Sequence, residues 1–387
     1  MAQAIELPGL EHHPHARAVL LPALPPDGFA SHAYLFRGPA GTGKRTAARA
    51  FAAALLADGS TDPAGAADRV MRGCHPDLSW ISPSGAAEML VSDIDEPVVA
   101  AAGRTPFESR RRVFVIERAE TMNDATANRM LKTLEEPPAY AHLILLTDRP
   151  GELLPTIGSR CQHVRFDALP EAELAARLER AGVAAQTAIA CARLSLGDGH
   201  RARSLADADG DRLRRVAEQF ACAALAGDLS GRPWVDLLAL TAARGEAVAA
   251  ELARRGAAEL ELTGRTDRRR VEREQAERAK RAHRRAATDA LDIALSVAGL
   301  WYRDLAVMLD GAPDLIHAVD RRAELTAQAS GRDPAALRTA LDLVDETRAR
   351  MALNVTDELA LEALAYRIAA LASDATRSIG PSRGSRP

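Results

Sequence analysis

The chain has 387 residues, too many for one typical domain and enough for two or three. Hydrophobic residues make up 47%, aromatics only 4%, and the formal net charge is −3, so a globally basic nucleic-acid binder is excluded and any basic site must be local. Four cysteines, Cys74, Cys161, Cys191 and Cys222, lie far apart without a CxxC pair, which argues against a disulfide framework and against zinc. No apolar run approaches membrane-spanning length and no basic-then-apolar leader opens the chain, so a soluble, cytoplasmic protein with no membrane contact is expected.

In chain order, Tyr34-Leu35-Phe36 reads as a short buried strand running into Gly38-Pro39-Ala40-Gly41-Thr42-Gly43-Lys44. Arg45 to Ala57 is alanine-rich without glycine or proline and predicts a helix. Residues 58–73 are small and polar and read as a loop. Val113–Ile116 is a second strand, 123–134 a helix stopped before Pro137-Pro138, and Leu143–Leu146 a third strand. Strands separated by helices imply a parallel sheet covered on both faces. After about residue 167 strand signals cease. Residues 170–206 suggest two or three short helices broken at Gly197-Asp198-Gly199. Further on, Leu291, Leu295, Ala298, Tyr302, Leu305 and Leu309 recur at helical spacing, as do Leu361, Leu364, Ile368 and Leu371. The Ser/Arg/Gly/Pro-rich tail is expected to be disordered.

The glycine-rich loop is the first motif with chemistry. Gly38, Gly41 and Gly43 let backbone N–H groups surround phosphate oxygens, and Lys44 adds charge at a helix start. The next position should carry the hydroxyl that ligates Mg²⁺, but it is Arg45. Thr46 follows about 100° further round the helix, which does not give the same ligand geometry. The strand Val113–Ile116 should end in Asp-Glu, and here it ends in Glu117-Arg118. Glu117 could still hold a metal-bound water, but a guanidinium cannot serve as a base. Glu120 lies too far along to substitute. Loss of hydrolysis is expected, with weak ATP or ADP binding through the glycines, Lys44 and Thr46 still compatible with what remains. No cofactor is required.

Two more segments complete the pattern: Leu131-Lys132-Thr133-Leu134-Glu135-Glu136-Pro137-Pro138, and Ser159-Arg160-Cys161. In this order behind a phosphate loop they resemble the clamp-loader branch of the AAA+ ATPases, and within it the delta-prime-type subunits of bacterial DNA polymerase III. The resemblance is tight over 31–46 and 113–166 and weaker beyond, where Leu353-Asn354-Val355 and a long basic helix resemble actinobacterial relatives. It implies an α/β RecA-like AAA+ core (a parallel sheet flanked by helices) at 1–167, a small helical lid at 168–208, an all-α oligomerisation or collar domain at 209–374, and a disordered tail at 375–387. It also implies a non-hydrolysing subunit beside tau/gamma and delta partners, reaching the sliding clamp and primer-template DNA through the complex. Arg160 would be the arginine finger that serves a neighbour's ATP; its alternative is an arginine in a structural ion pair. The competing function is an active tau/gamma-type ATPase, which would need the missing hydroxyl and Asp-Glu.

Other residues stay open. Relatives often carry four cysteines before a His-Pro-Asp, but here only Cys74 precedes His75-Pro76-Asp77, too few for zinc. His12, His13, His15 and His32 read as surface histidines. Any of His200, Arg201 or Arg203 fits a nucleotide-sensing position, and a structural role fits them equally. The basic run 265–285, with Glu274/Arg278 and Glu277/Arg281 at i,i+4, reads as a solvated, self-paired helix or as a contact for phosphate backbone or an acidic partner.

Overall fold

The computed structural model describes residues 7–25, 27–83, 88–261, 268–351 and 356–378. Leu353-Asn354-Val355, the start of the basic run and the tail from 379 lie outside them. The chain forms two compact units, one of residues up to 170 with Gly197–His200, the other of Glu171–Leu196 with Arg201 onward.

The first unit holds α1 (Pro14–Leu20), β1 (Ala33–Arg37), α2 (Lys44–Ala57), α3 (Pro63–Arg72), β2 (Leu78–Ile81), α4 (Val91–Ile94), β3 (Arg112–Ile116), α5 (Asp124–Glu135), β4 (Ala141–Thr147), α6 (Pro155–Gly158) and β5 (Gln162–Arg165). All strand pairs are parallel, in the order β2-β3-β4-β1-β5. Pairing is in register with Phe36 opposite Leu146 and Ile116 opposite Leu145, so the carboxyl ends of β1, β4 and β3 lie level. The central strands are apolar runs because both faces are covered. Tyr34, Phe36, Val113, Val115 and Ile144 join Phe51 and Leu55 of α2 in one core. Leu35, Phe114, Ile116, Leu143 and Leu145 face Met130 and Ile157 in the other.

Two strands and a helix depart from expectation. β2 and β5 are the sheet edges, and in β5 only Val164 is buried, so neither needs the apolar run that betrays a central strand. The stretch expected to be a loop contains α3. Asp62 caps it by accepting the Gly65 N–H, Pro63 opens it, Ala66 and Val70 are buried, and Gly73 ends it at φ 77°. Its small residues hid an ordinary amphipathic helix.

The second unit is helical throughout its described residues: α7 (Glu171–Arg180), α8 (Ala185–Leu194), α9 (Gly199–Ala206, whose first two residues group with the first unit), α10 (Ala208–Ala226), α11 (Trp234–Glu261), α12 (Arg268–Leu309), α13 (Arg322–Ala329), α14 (Pro334–Met351) and α15 (Asp357–Ser378). Leu291, Leu295, Ala298, Tyr302 and Leu305 form the buried stripe of α12, and Leu361, Leu364 and Ile368 that of α15. The helix α15 continues through Ser378, beyond the boundary expected for the tail.

A charged knot sits inside this apolar packing. Arg214 of α10 is fully buried and forks onto Asp320 with Nη1–Oδ2 at 3.0 Å and Nη2–Oδ1 at 2.9 Å. Glu218 lies 3.7 Å from the same guanidinium and accepts from Arg321 Nε at 3.3 Å. Burial pushes the Glu218 carboxyl up, and the two arginines oppose that shift. Removing one partner leaves an uncompensated buried charge, so Arg214→Ala should destabilise the helical unit by about 3–5 kcal/mol. Denaturant unfolding followed through Trp234 and Trp301 checks this, and a change too small to move the midpoint would show that the pair contributes nothing.

Candidate nucleotide site

The site forms where β1, β4 and β3 end together, the crevice at which parallel α/β sheets bind ligands. The loop after β1 needs its glycines. Gly38 has φ 146°, and a Cβ there would lie 1.9 Å from the Phe166 carbonyl oxygen; Gly41 has φ 70° and Gly43 φ 100°. His13 fastens the loop from the amino-terminal side by donating from Nε2 to the Thr42 carbonyl at 2.6 Å. It is 2% exposed and tilts against Phe166, so it is a core histidine and not a surface one, and burial lowers its pKa.

Lys44 is buried at the start of α2. Its Nζ donates to the carbonyl oxygens of Gly38, at 2.6 Å, and Pro39, and pairs with Asp148 Oδ1 at 2.6 Å. Asp148 directly follows β4, between the phosphate loop and β3 in the strand order. A second carboxylate lies against the loop: Asp198 Oδ1 would be 1.8 Å from a Cβ on Gly41, and it accepts the His200 N–H at 2.7 Å.

The two departures from a Mg²⁺ site meet each other. Arg45 Nε pairs with Glu117 Oε1 at 2.6 Å. The same carboxylate accepts from Trp80 Nε1 at 2.7 Å and, through Oε2, from Ser82 Oγ at 2.8 Å. Glu117 is buried, while the Arg45 side chain is 71% exposed. Mg²⁺ requires oxygen ligands in near-octahedral array. A guanidinium stands at the hydroxyl position and both Glu117 oxygens are engaged, so these residues do not fit the metal. Thr46 is exposed beside Gly9. Arg118 is half-buried with φ 52°. Glu120 is turned toward Arg149, 4.0 Å away.

Arg160 follows α6. Its Nε donates to Glu135 Oε1 at 2.9 Å, Nη2 pairs with the same oxygen, and Nη1 donates to the Thr156 carbonyl at 2.9 Å. The pair is open to solvent, with side chains 35% and 49% exposed. Lys132, Glu135 and Glu136 all lie on the exposed end of α5, so one acid of the Leu131–Pro138 segment holds the candidate finger. Cys161 is packed behind, its thiol pushed up to about 12 by burial.

The His-Pro-Asp motif is architectural. Asp77 is fully buried and accepts the N–H groups of Phe107, Glu108 and Ser109 at 2.6, 2.9 and 2.9 Å. His75 Nε2 lies 2.9 Å from Glu108. Among the described residues no group of His, Cys, Asp and Glu could hold a metal ion. Of the sensor candidates, His200 has its backbone beside Gly41, Arg203 is exposed, and Arg201 is committed within the helical unit to Asp292 at 2.9 Å and Ser296 at 3.1 Å. Asp148, Trp80, Ser82 and Asp198 carry no sequence motif and emerge only from the assembled crevice.

Residues 23–170 match the family described as DNA polymerase III, delta subunit. The chain is 40% identical over 136 residues to DNA polymerase III subunit delta' of Pseudomonas aeruginosa, covering 34% of this chain and 42% of that protein. It is 35% identical over 154 residues to the Bacillus subtilis delta' subunit, covering 38% and 46%, and 34% identical over 191 residues to the gamma/tau subunit of Mycobacterium bovis, covering 46% and 31%. It thus spans less than half the length of each of these relatives. A solved gamma-subunit-related protein from Thermotoga maritima aligns over 88% of this chain and 94% of its own, at 15% identity and a TM-score of 0.43, too distant to carry an argument. Over residues 23–170 the chain is therefore similar to delta'-type subunits of DNA polymerase III.

Proposed function

We propose that the chain is a non-hydrolysing clamp-loader subunit that supplies Arg160 in trans to the nucleotide of a neighbouring ATPase subunit. Its partners in this reading are tau/gamma- and delta-type subunits, and through the complex it helps load the sliding clamp onto primer-template DNA. In this reading residues 209–374 are the collar domain, and Leu359 and Tyr366, exposed on α15, are available for packing against other subunits. The observation that carries the reading is the Arg45–Glu117 pair. It puts an internal cation where the hydroxyl ligand belongs and leaves the carboxylate engaged by Trp80 and Ser82. Arg118 supplies no base to activate water. Phosphate binding through the loop glycines stays open but has to draw Lys44 away from Asp148.

The finger role is supported by the ease of releasing Arg160. Exposed ion pairs contribute only about 0–1 kcal/mol, so exchanging Glu135 for a neighbour's phosphate oxygens costs little. A planar guanidinium stabilises charge that develops on the transferred phosphoryl group, and an arginine supplied in trans contributes roughly 10³–10⁵ in rate.

The purified chain should show no steady-state ATP turnover. Turnover that disappears in Lys44→Ala would overturn the non-hydrolysing reading. In a reconstituted complex with clamp and primed DNA, Arg160→Ala should leave assembly intact while turnover at the adjacent site falls by roughly 10³-fold or more, with poor rescue by Arg160→Lys. Wild-type turnover and clamp loading in the Ala variant would reduce Arg160 to a structural ion-pair partner of Glu135.

A further inference from the structure

The helices α11 and α12 run antiparallel as an arm. Gln275 Nε2 donates to the Gly256 carbonyl at 3.1 Å, and a Cβ on Gly245 would lie 2.7 Å from the His283 carbonyl oxygen. Glycine at these two positions lets α11 approach α12 closely, and the half-buried positions of α12 include Val271, Gln275, Ala279, Ala282, His283 and Ala286. With that face committed, the cations point outward: Arg269, Arg273, Arg278, Lys280, Arg281 and Arg284 are all exposed.

The cations of α12 outnumber the acids of both helices along the arm, the facing stretch 245–261 of α11 holding four Glu against two Arg. Residues 268–285 hold nine Arg/Lys against three Glu, in a chain whose formal net charge is −3. Arg268 pairs with Glu272 at 3.2 Å, but none of the six exposed cations has an ion pair or hydrogen bond among the described residues. The expected Glu277/Arg281 pair is not formed, and the side chain of Glu274 lies outside the described residues. Elsewhere exposed arginines such as Arg215, Arg338 and Arg350 each have a carboxylate, and exposed ones without an ion pair among the described residues, such as Arg17, Arg104 and Arg212, are scattered through the sequence and not clustered on one helix. A helix whose cations are paired by its own carboxylates does not describe the six residues.

We infer that the outer face of α12 between Arg269 and Arg284 is a binding surface for the phosphate backbone of duplex DNA. The cations extend over 16 residues, a rise of about 22 Å at 1.5 Å per residue, a length along which a duplex presents a charge about every 1.7 Å of its axis. The exposed positions carry no aromatic or large aliphatic side chain. Base stacking, insertion into a lipid interface and an apolar protein anchor therefore all lack their contact residues. What remains is sequence-independent attraction to a regular polyanion. It is separate from the role assigned to Arg160 and holds whether or not the chain hydrolyses ATP.

The test uses the full chain and a fluorescent random-sequence duplex of roughly 30 base pairs, titrated at several salt concentrations between about 50 and 200 mM. Arg273→Ala/Lys280→Ala/Arg284→Ala should weaken binding at least about tenfold at the lowest salt and reduce the slope of log K against log salt by about 2–3, at roughly 0.9 per lost phosphate contact. Helix content should stay unchanged by circular dichroism. Arg215→Ala/Arg322→Ala/Arg350→Ala, an equal loss of charge away from the arm, should bind as the unaltered chain does. Equal weakening in both triple variants, or no weakening in the first, overturns the inference. Binding of polyglutamate as tight as that of duplex at matched charge would assign the arm to an acidic protein partner and overturn it equally.

Discussion

Parallel pairing of β1 with β4, and of β4 with β3, is the constraint on which the candidate site depends. Phe36 opposite Leu146 and Ile116 opposite Leu145 bring three strand ends level, so residues far apart in sequence emerge into one crevice. The pairing is enforced by burial on both faces. Val113 to Ile116 and Leu143 to Leu145 are inaccessible to solvent, and a slip of one residue would move each side chain to the opposite core. Only with that register does the α2 amino terminus bring Lys44 to Asp148 and Arg45 to Glu117.

In a crevice of this kind, phosphate and metal ordinarily meet fixed backbone dipoles and oxygen ligands. Here the chain supplies both signs of charge itself. Two cations on adjacent residues of α2 meet two carboxylates at the ends of neighbouring strands. Glu117 is buried and also bonded to Trp80 and Ser82, so its contacts resist disruption more than a solvent-exposed ion pair would. Arg45 is mostly exposed, and its part is to neutralise that carboxylate.

Burial and pairing sort the arginines into three physical conditions. Arg214 is dry, bidentate and immovable without unfolding its surroundings. Arg160 is paired yet wet, so its partner can be exchanged at small cost. The α12 cations are wet and without a carboxylate among the described residues, so their field is directed outward. The same residue type thus carries stability, a transferable contact and long-range attraction, and solvent access decides which.

Several features were determined by local sequence alone. The glycine loop, the runs Val113–Ile116 and Leu143–Leu146, and the helix stopped by Pro137-Pro138 each carry their instructions within a few residues, as backbone freedom, apolar continuity or a missing N–H. The identities of Arg45 and Arg118 likewise announced a departure from a Mg²⁺ site. The edge strands β2 and β5 were not legible, because a strand covered on fewer sides needs less apolar sequence. The helix α3 was obscured by small residues. The core position of His13, the acceptance of three backbone N–H groups by Asp77, and the pairings of Arg45 with Glu117 and Arg160 with Glu135 belong to tertiary structure alone. Each joins segments separated by 25 residues or more, His13 and its partner Thr42 being 29 apart. No local pattern encodes such a distance; sheet register and helix docking bring the partners together, and electrostatics then selects among the charges that arrive.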